Sequence, residues 1–135
     1  MEKRLYPRVK TNLPAIVANE EGVQLKVKVS DASGEGLCME CNTLERDLVT
    51  PGGRFVRDDG KPVELYIWLE VPDENGHSTK VQARCHVTFS RRIARDRCKI
   101  GVKYMDLDNS AYQKLLYFIE SSIANMQSFR QMQIS

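Results

Sequence analysis

Apolar and polar residues alternate over short stretches through the first 104 residues of the chain, and polar segments separate these stretches. The clearest stretch runs from Val23 to Val29, where every second residue is Val or Leu and those between are Gln or Lys. A period of two residues is typical of a β-strand with one buried and one exposed face. The apolar phase of the fifth stretch includes Phe89. Six strands are predicted in this way, over residues 13–19, 23–30, 37–42, 63–71, 81–90 and 98–104.

After Leu107 the pattern changes, because apolar residues now recur three or four positions apart, as on one face of a helix. Asn109 or Ser110 is suited to cap the start of this helix. Six short strands and one helix predict an all-β fold, a small six-stranded antiparallel β-barrel closed or flanked by a C-terminal α-helix. The apolar helix face expected to lie on the barrel comprises Tyr112, Leu115, Leu116, Ile119, Ile123 and Met126.

A chain of 135 residues is long enough for one domain with its own core. We expect an N-terminal arm over residues 1–12, the barrel over 13–105 and the helix over 109–133. Residues 43–62 follow neither period and are predicted to form a long loop, a kind that is often functional. Arg54 and Arg57 in this loop could reach a neighbouring ligand.

The charges nearly cancel, with 20 Lys and Arg against 18 Asp and Glu. This balance argues against a general nucleic-acid coat or a polybasic membrane anchor. There is no run of 18 apolar residues to span a membrane, and the N-terminus lacks the apolar segment of a signal peptide. We therefore expect a cytoplasmic protein with reduced cysteines. One cluster of cations falls in the predicted turn before the sixth strand, with Arg91, Arg92, Arg95 and Arg97.

A second cluster of cations occupies the first ten residues, at Lys3, Arg4, Arg8 and Lys10. Pro7 disfavours a helix here, so this segment is predicted to be extended or turned. In an extended chain Arg4 and Arg8 lie on one side, roughly 13 Å apart. A bend would let both guanidinium groups close on a single anionic group. The alternative is a solvated terminus whose charges serve solubility.

The predicted turn between the second and third strands, residues 31–36, is unusual in carrying a carboxylate and a hydroxyl two residues apart. Asp31 and Ser33 share parity, so both side chains project from one face if the chain is still extended there. Gly36 provides either a positive φ or room for a close approach to the backbone. The alternative is an Asx-turn, in which Asp31 bonds only to its own backbone.

The cysteines do not indicate a metal site. Cys38 and Cys41 form a C-x-x-C motif, but strand positions three apart face opposite sides and cannot close on one ion. Cys41, Cys85 and Cys98 fall on the apolar phases of their strands, where a reduced cysteine acts as a small hydrophobe. The sequence also has no glycine-rich phosphate loop, no H-E-x-x-H motif and no nucleophile with a matching base. We expect no metal, no cofactor and no enzymatic activity.

The two polar motifs together, Arg4-x-x-x-Arg8 and Asp31-x-Ser33-x-x-Gly36, resemble the paired signature of PilZ domains, the bacterial receptors for cyclic di-GMP. The order of six strands and the closing helix extend the resemblance over nearly the whole chain.

Other residues carry the resemblance further. Residues 101–104, Gly-Val-Lys-Tyr, are similar to the family's late glycine–aromatic strand. Phe89 stands at about the place where many members carry a strand tryptophan near the ligand. The resemblance implies a nucleotide site formed by Arg4, Arg8, Asp31, Ser33 and Gly36, with Lys3 and Gly34 as possible additional contacts.

These residue types suit the ligand. Guanidinium groups match phosphate oxygens and also the O6/N7 edge of guanine. Asp31 can accept from guanine N1–H and N2–H, and the Ser33 hydroxyl can donate or accept. The missing side chain of Gly36 would leave space for the flat base. We expect the N-terminal arm to become ordered on binding and so to change the surface shown to a downstream effector protein.

Two other functions fit parts of the sequence. One is a PilZ-like module that binds protein and no nucleotide. The other is a small barrel that binds single-stranded nucleic acid, which would use Tyr66 and Trp68 on one strand face. Glu64 and Glu70 share that face and make nucleic acid unlikely as a partner.

The last residues of the chain, 124–135, hold one charge, Arg130, and three apolar side chains. Phe129, Met132 and Ile134 predict a contact surface for a second copy or an effector. A disordered tail is the alternative for the same composition.

Overall fold

The computed structural model describes the backbone of residues 7–134 and the side chains of residues 7–126. Within this range six antiparallel strands close into a barrel in the order β1-β2-β3-β6-β5-β4. The prediction of a six-stranded antiparallel barrel followed by a C-terminal helix is confirmed. The strands are β1 (Val9–Ala18), β2 (Gln24–Ala32), β3 (Gly36–Cys41), β4 (Glu64–Pro72), β5 (Ser78–Ala94) and β6 (Arg97–Asp106).

The core is the inner face of this barrel, filled by the alternating apolar residues of all six strands. Cys41, Cys85 and Cys98 are buried there as free thiols, as their strand phases predict. Burial raises the pKa of Cys41 and of Cys85 to about 12, so both remain protonated and pack as apolar groups. Among residues 7–126 no three His, Cys, Asp or Glu side chains lie close enough together to hold a metal ion.

Several strands are longer than predicted. β1 begins at Val9, so the expected arm of residues 1–12 overlaps the first strand. β5 continues to Ala94, because the β5–β6 ladder extends as far as the pair Ala94–Arg97. Arg91 and Arg92 therefore lie on β5, and Arg97 is the first residue of β6, which corrects the turn predicted for these three residues.

Among the bulges of the barrel, one on β2 and one on β5 determine which side Asp31 and Phe89 face. On β2 the partners on β3 step from Val29 to Asp31, so Ser30 is the extra residue. On β5 the partners on β6 step from Val87 to Phe89, so Thr88 is the extra residue. An extra residue reverses the alternation beyond it.

The bulge on β5 corrects the predicted phase of Phe89. Beyond Thr88 the inward position passes to Ser90, whose hydroxyl lies 3.2 Å from that of buried Thr50. Phe89 instead pairs with Gly101 on the outer face. A period-two pattern cannot show such an inversion when the residue that changes sides is itself apolar.

The predicted loop over residues 43–62 is partly helical. Helix α1 spans Thr43–Val49, and a single 3₁₀ turn, Pro51–Gly53, follows it. The start of α1 is a capping box, in which the Asn42 side chain accepts from Glu45 N at 2.8 Å and the Glu45 side chain accepts from Asn42 N at 2.9 Å. Asn-x-x-Glu was the sequence signal for this short helix.

The C-terminal helix, α2, spans Asn109–Ile134. Its cap is Asp108 and not Asn109 or Ser110, because Asp108 Oδ1 accepts from Ala111 N at 2.7 Å. No helix among the described residues is long and apolar enough to cross a membrane.

The barrel side of α2 differs in part from the predicted apolar face. Ala111, Leu115 and Ile119 are buried against the core, whereas Met126 is 49% exposed. Phe118 and Ile123 pack at the edge of the buried cluster. The side chains of the predicted tail surface, Phe129, Met132 and Ile134, lie outside the described residues.

Leu115 provides a test of how α2 is attached. The Leu115→Ala variant is expected to lose about 2–5 kcal/mol of unfolding free energy, because a fully buried leucine leaves a cavity. Urea denaturation measures this loss. The matched control, Tyr117→Ala, removes a 44% exposed side chain from the same helix and should change stability by under about 0.5 kcal/mol. Equal effects of the two substitutions would contradict the packing of Leu115 on the barrel.

Candidate functional site

An ion pair connects the start of β1 to the end of β2. Lys10 and Asp31 are opposite each other in the β1–β2 ladder, which brings the Arg8 guanidinium to the Asp31 carboxylate. Arg8 donates to Asp31 Oδ1, and Lys99 Nζ on β6 lies 3.4 Å from Asp31 Oδ2. The same guanidinium is 3.7 Å from the sulfur of Cys38. Two cations from distant parts of the sequence therefore share one carboxylate.

The electrostatic effect of this pairing is mutual. Burial by itself would raise the pKa of Asp31, but the hydrogen bond from Arg8 and the charges of Arg8 and Lys99 outweigh it and lower that pKa. Burial by itself would lower the pKa of Arg8, and the bond and charge of Asp31 raise it instead. Both groups are ionised at neutral pH, and the site presents a carboxylate acceptor beside fixed positive charge.

The bulge at Ser30 is the reason that Asp31 is available at the surface. Asp31 has the same parity as Val27 and Val29, whose side chains are buried in the barrel. Because the alternation reverses at Ser30, Asp31 pairs with Cys38 on the outer face. The hydroxyl of Ser30 donates to the carbonyl of Cys38 at 3.3 Å and supports the bulge.

The turn after β2 is built by Ser33. Its hydroxyl accepts from Glu35 N at 3.1 Å and from Gly36 N at 3.2 Å, and its side chain is buried. Ser33 N donates to Gly36 O at 2.9 Å. The local turn that was the alternative for Asp31 is thus formed by Ser33, while the Asp31 carboxylate contacts Arg8 and Lys99. Ser33 and Asp31 do not share one exposed face, because Ser33 points into the turn.

Gly36 is required by the neighbouring strand. A Cβ at this position would collide with the carbonyl oxygen of Val102 on β6. The space predicted at Gly36 for a flat base is therefore filled by the backbone of β6. The φ angle of Gly36 is also not positive. Tyr104, two residues further along β6, fixes the turn: its N–H donates to Glu35 O at 3.0 Å and its hydroxyl donates to Ser33 O at 3.2 Å.

An apolar floor, formed by Cys38, Gly101 and Phe89, extends from Asp31 across three more strands of the outer face. Asp31, Cys38, Gly101 and Phe89 are successive partners on β2, β3, β6 and β5. The Phe89 ring lies over Gly101, where any side chain would collide with it. The Arg91 guanidinium lies 5.2 Å from the centre of that ring. The surface combines an apolar floor with cations at its border.

The structure brings most of the predicted site residues together. Arg8 and Asp31 are in contact, and Ser33, Gly34 and Gly36 form the adjoining turn. Arg4 and Lys3 lie outside the described residues, so their part in the site remains a prediction.

Arg54 and Arg57, considered as further contacts, have other partners. Arg54 pairs with Asp58 at 2.9 Å, and Arg57 pairs with Glu20 at 2.8 Å. Glu20 lies in the turn before β2, whereas Asp31 is near the far end of that strand, roughly 20 Å away at the usual rise per residue.

The sequence did not indicate Lys99 as a site residue, and it indicated Tyr104 only as part of the glycine–aromatic strand. Both residues lie on β6, and their roles depend on β6 pairing with β3. The alternation of β6 indicates only that Lys99 faces outward. No pattern within the strand shows which other strand lies beside it.

The sequence matches the PilZ domain family over residues 2–121, which is most of the chain. The chain belongs to the PilZ family. This is a family of cyclic di-GMP receptors, so the family predicted from the two motifs is confirmed. A comparison with curated protein sequences gives no match.

Several solved structures share the fold at low sequence identity. The Bacillus subtilis inhibitor of motility MotI/DgrA is 17% identical with a TM-score of 0.69, over 92% of this chain and 53% of that one. MrkH from K. pneumonia, in complex with c-di-GMP, is 13% identical with a TM-score of 0.65, over 94% and 54%. This PilZ chain thus spans about half the length of both proteins.

The isolated PilZ domain of YcgR from Escherichia coli, solved with c-di-GMP, is similar along its whole length. It is 10% identical with a TM-score of 0.59, over 96% of this chain and 98% of that one. At such identities the likeness concerns the fold alone.

The turn of this PilZ domain is expected to depend on the Tyr104 hydroxyl. The Tyr104→Phe variant should lose about 1 kcal/mol of unfolding free energy, since the Ser33 carbonyl loses a partly buried donor. Chemical denaturation measures this loss of unfolding free energy. Tyr112→Phe is the control, because the Tyr112 hydroxyl takes no part in this hydrogen bond. Identical stabilities of Tyr104→Phe and the parent protein would contradict the anchoring role.

Asp31 is expected to make stability depend on pH. Its folded-state pKa is lowered, so its contribution is present above the unfolded value of 3.8 and is lost as pH falls through the folded value. At neutral pH the unfolding free energy of the parent protein should be about 1 kcal/mol higher than that of Asp31→Asn. Denaturation curves over a series of acidic pH values should show this difference shrinking. A difference that stays constant into strong acid would contradict an ionised Asp31 in the pair.

Proposed function

We propose that this PilZ domain is a cyclic di-GMP receptor that signals to a downstream effector protein. The observation that supports it is the contact between the two signature motifs: Arg8 from the first motif pairs with Asp31 from the second. The adjoining Ser33–Gly36 turn is fixed by its own hydrogen bonds. A rigid turn and a cationic arm thus meet at one carboxylate.

Each group has a role that follows from its chemistry. The ionised Asp31 accepts from N1–H and N2–H of guanine. Arg8 and, from the preceding residues, Arg4 bind phosphate oxygens or the O6/N7 edge through their planar guanidinium groups. Ser33 and Gly36 act mainly through the backbone, since the hydroxyl of Ser33 is engaged in the turn. Gly34 at the tip of this turn is half-buried and remains a possible contact.

Binding must change the ion pair. In the free protein Arg8 and Lys99 occupy the Asp31 carboxylate, and a guanine that takes this acceptor displaces at least part of their interaction. We propose that the nucleotide then fixes the arginine arm against the turn. The altered surface at the start of β1 is the signal that the effector reads.

The function that we propose for this site is that of a receptor and not of an enzyme. The site holds one carboxylate between cations, an arrangement for holding an anion with hydrogen-bond donors of its own. Four free, buried thiols suit the cytoplasmic location that we expect.

A PilZ module that binds protein without nucleotide is the second candidate. A groove of about 440 Å³ on the outer face of β1 and β4 supports it, with exposed Pro14 and half-buried Ile16 and Trp68 between Lys26 and Lys80. This groove lies on the other side of the barrel from the β3–β6 pair. The groove also suits the effector of a nucleotide-binding receptor, so binding of cyclic di-GMP is what separates the two candidates.

Titration calorimetry with cyclic di-GMP tests the proposal, with GTP and a short single-stranded oligonucleotide as controls. Arg4→Ala, Arg8→Ala and Asp31→Ala should each weaken binding roughly ten- to hundredfold, since a charge-assisted hydrogen bond contributes about 1.5–3 kcal/mol. Arg54→Ala is the matched control, because its side chain is 70% exposed and pairs with Asp58.

Thermal melts must accompany the titrations. Arg8→Ala is expected to cost about 1 kcal/mol of stability, since it removes the main partner of a largely buried carboxylate. A parent protein that does not bind cyclic di-GMP would overturn the receptor assignment and leave the protein-binding module. Binding of the oligonucleotide in preference to both nucleotides would favour the nucleic-acid alternative.

A further inference from the structure

Lys99 is a cation at the candidate site that belongs to neither signature motif. It lies on β6 with its side chain on the outer face, and its ammonium group is 3.4 Å from Asp31 Oδ2. Its side chain is 26% exposed and lies on the same outer face as the floor formed by Cys38, Gly101 and Phe89. The position suits contact with whatever the carboxylate binds.

The neighbours of Lys99 leave its charge directed toward Asp31. Glu40 is directly opposite on β3, but both of its oxygens accept from Arg97, at 2.9 and 3.1 Å. Arg91 is directly opposite on β5, and its guanidinium lies over the Phe89 ring. Asp31 is therefore the acidic partner of Lys99 among the ion pairs of the described residues.

The local charges do not balance. Arg8, Lys99 and Arg91 carry three positive charges beside Asp31, and the neighbouring Glu40 carboxylate is already paired with Arg97. The excess of two positive charges, counted over these six side chains, suits a ligand with two anionic groups. A cyclic dinucleotide has two phosphates, each with one negative charge.

We propose that Lys99 is a phosphate-binding residue of the nucleotide site. This inference rests on the proposed function. When guanine takes the Asp31 carboxylate, the ammonium of Lys99 is released next to the bound base and turns to a phosphate oxygen. The four-carbon stem of lysine allows this movement, and a point charge needs no fixed geometry at the phosphate.

The test compares Lys99→Gln and Lys99→Arg with the parent in cyclic di-GMP titrations at low and at high salt. Loss of one charge–phosphate contact should weaken binding by Lys99→Gln about tenfold at low salt. The loss should shrink at high salt, where charges are screened. Lys99→Arg should retain most of the affinity, because it keeps the charge.

Lys80→Gln is the matched control. Lys80 is an exposed outward lysine on β5 that lies beside Trp68 and away from Asp31. Its removal changes the net charge by the same amount and should leave the affinity unchanged at either salt concentration. Thermal melts of all variants verify that the barrel is folded.

A double substitution distinguishes direct contact from an effect through the carboxylate. If Lys99 binds phosphate, Lys99→Gln should weaken binding further in the Asp31→Asn background. If Lys99 only positions Asp31, the second substitution should add nothing, and that result overturns the inference.

Two further outcomes separate this inference from the receptor assignment. Parent-like binding by Lys99→Gln, together with weak binding by Arg8→Ala, overturns the role of Lys99 and keeps the receptor. A parent protein without affinity for cyclic di-GMP overturns both. A tenfold loss confined to Lys99→Gln and reversed by Lys99→Arg supports the phosphate contact.

Discussion

The ion pair between Arg8 and Asp31 is the interaction on which the site depends. A carboxylate that is largely buried needs charged or hydrogen-bonding partners, or it takes up a proton. Arg8 meets this need from one side and Lys99 from the other, so the Asp31 side chain joins the start of β1, the end of β2 and the first part of β6. The same contact makes the acceptor ionised, which is the form that can bind a guanine edge.

The geometry around this pair is set by close backbone packing. Gly36 lets β6 approach the turn, and Tyr104 ties the turn to β6 from behind. Gly101 lets the Phe89 ring lie flat on the sheet. These contacts hold the turn and the floor in fixed relation, so the movable parts of the site are the long cationic side chains.

Much of this could be predicted from the sequence, for reasons that differ between residues. The two-residue period predicts the strands because one face of each strand is buried. The two motifs predict Arg8 and Asp31 because the chemistry of these side chains is distinctive. Lys99 could not be predicted, since its role comes from the pairing of β3 with β6, in which its partner Glu40 lies 59 residues earlier in the chain. Asp108 and the Asn42 capping box are local signals that the sequence contains, but the hydrophobic period that predicts strands and helices does not include capping residues.

The two bulges have a consequence for how this surface can be gained or lost. Asp31 and Phe89, at the two ends of the floor, carry the parity of core residues, and each faces outward only because one extra residue precedes it. The site therefore depends on the number of residues in β2 and β5 as well as on which residues they are. Deletion of Ser30 or Thr88 would leave every motif residue in the sequence. The side chain of Asp31 or of Phe89, respectively, would then point into the barrel. A sequence comparison that tolerates single gaps would still score such a protein as intact.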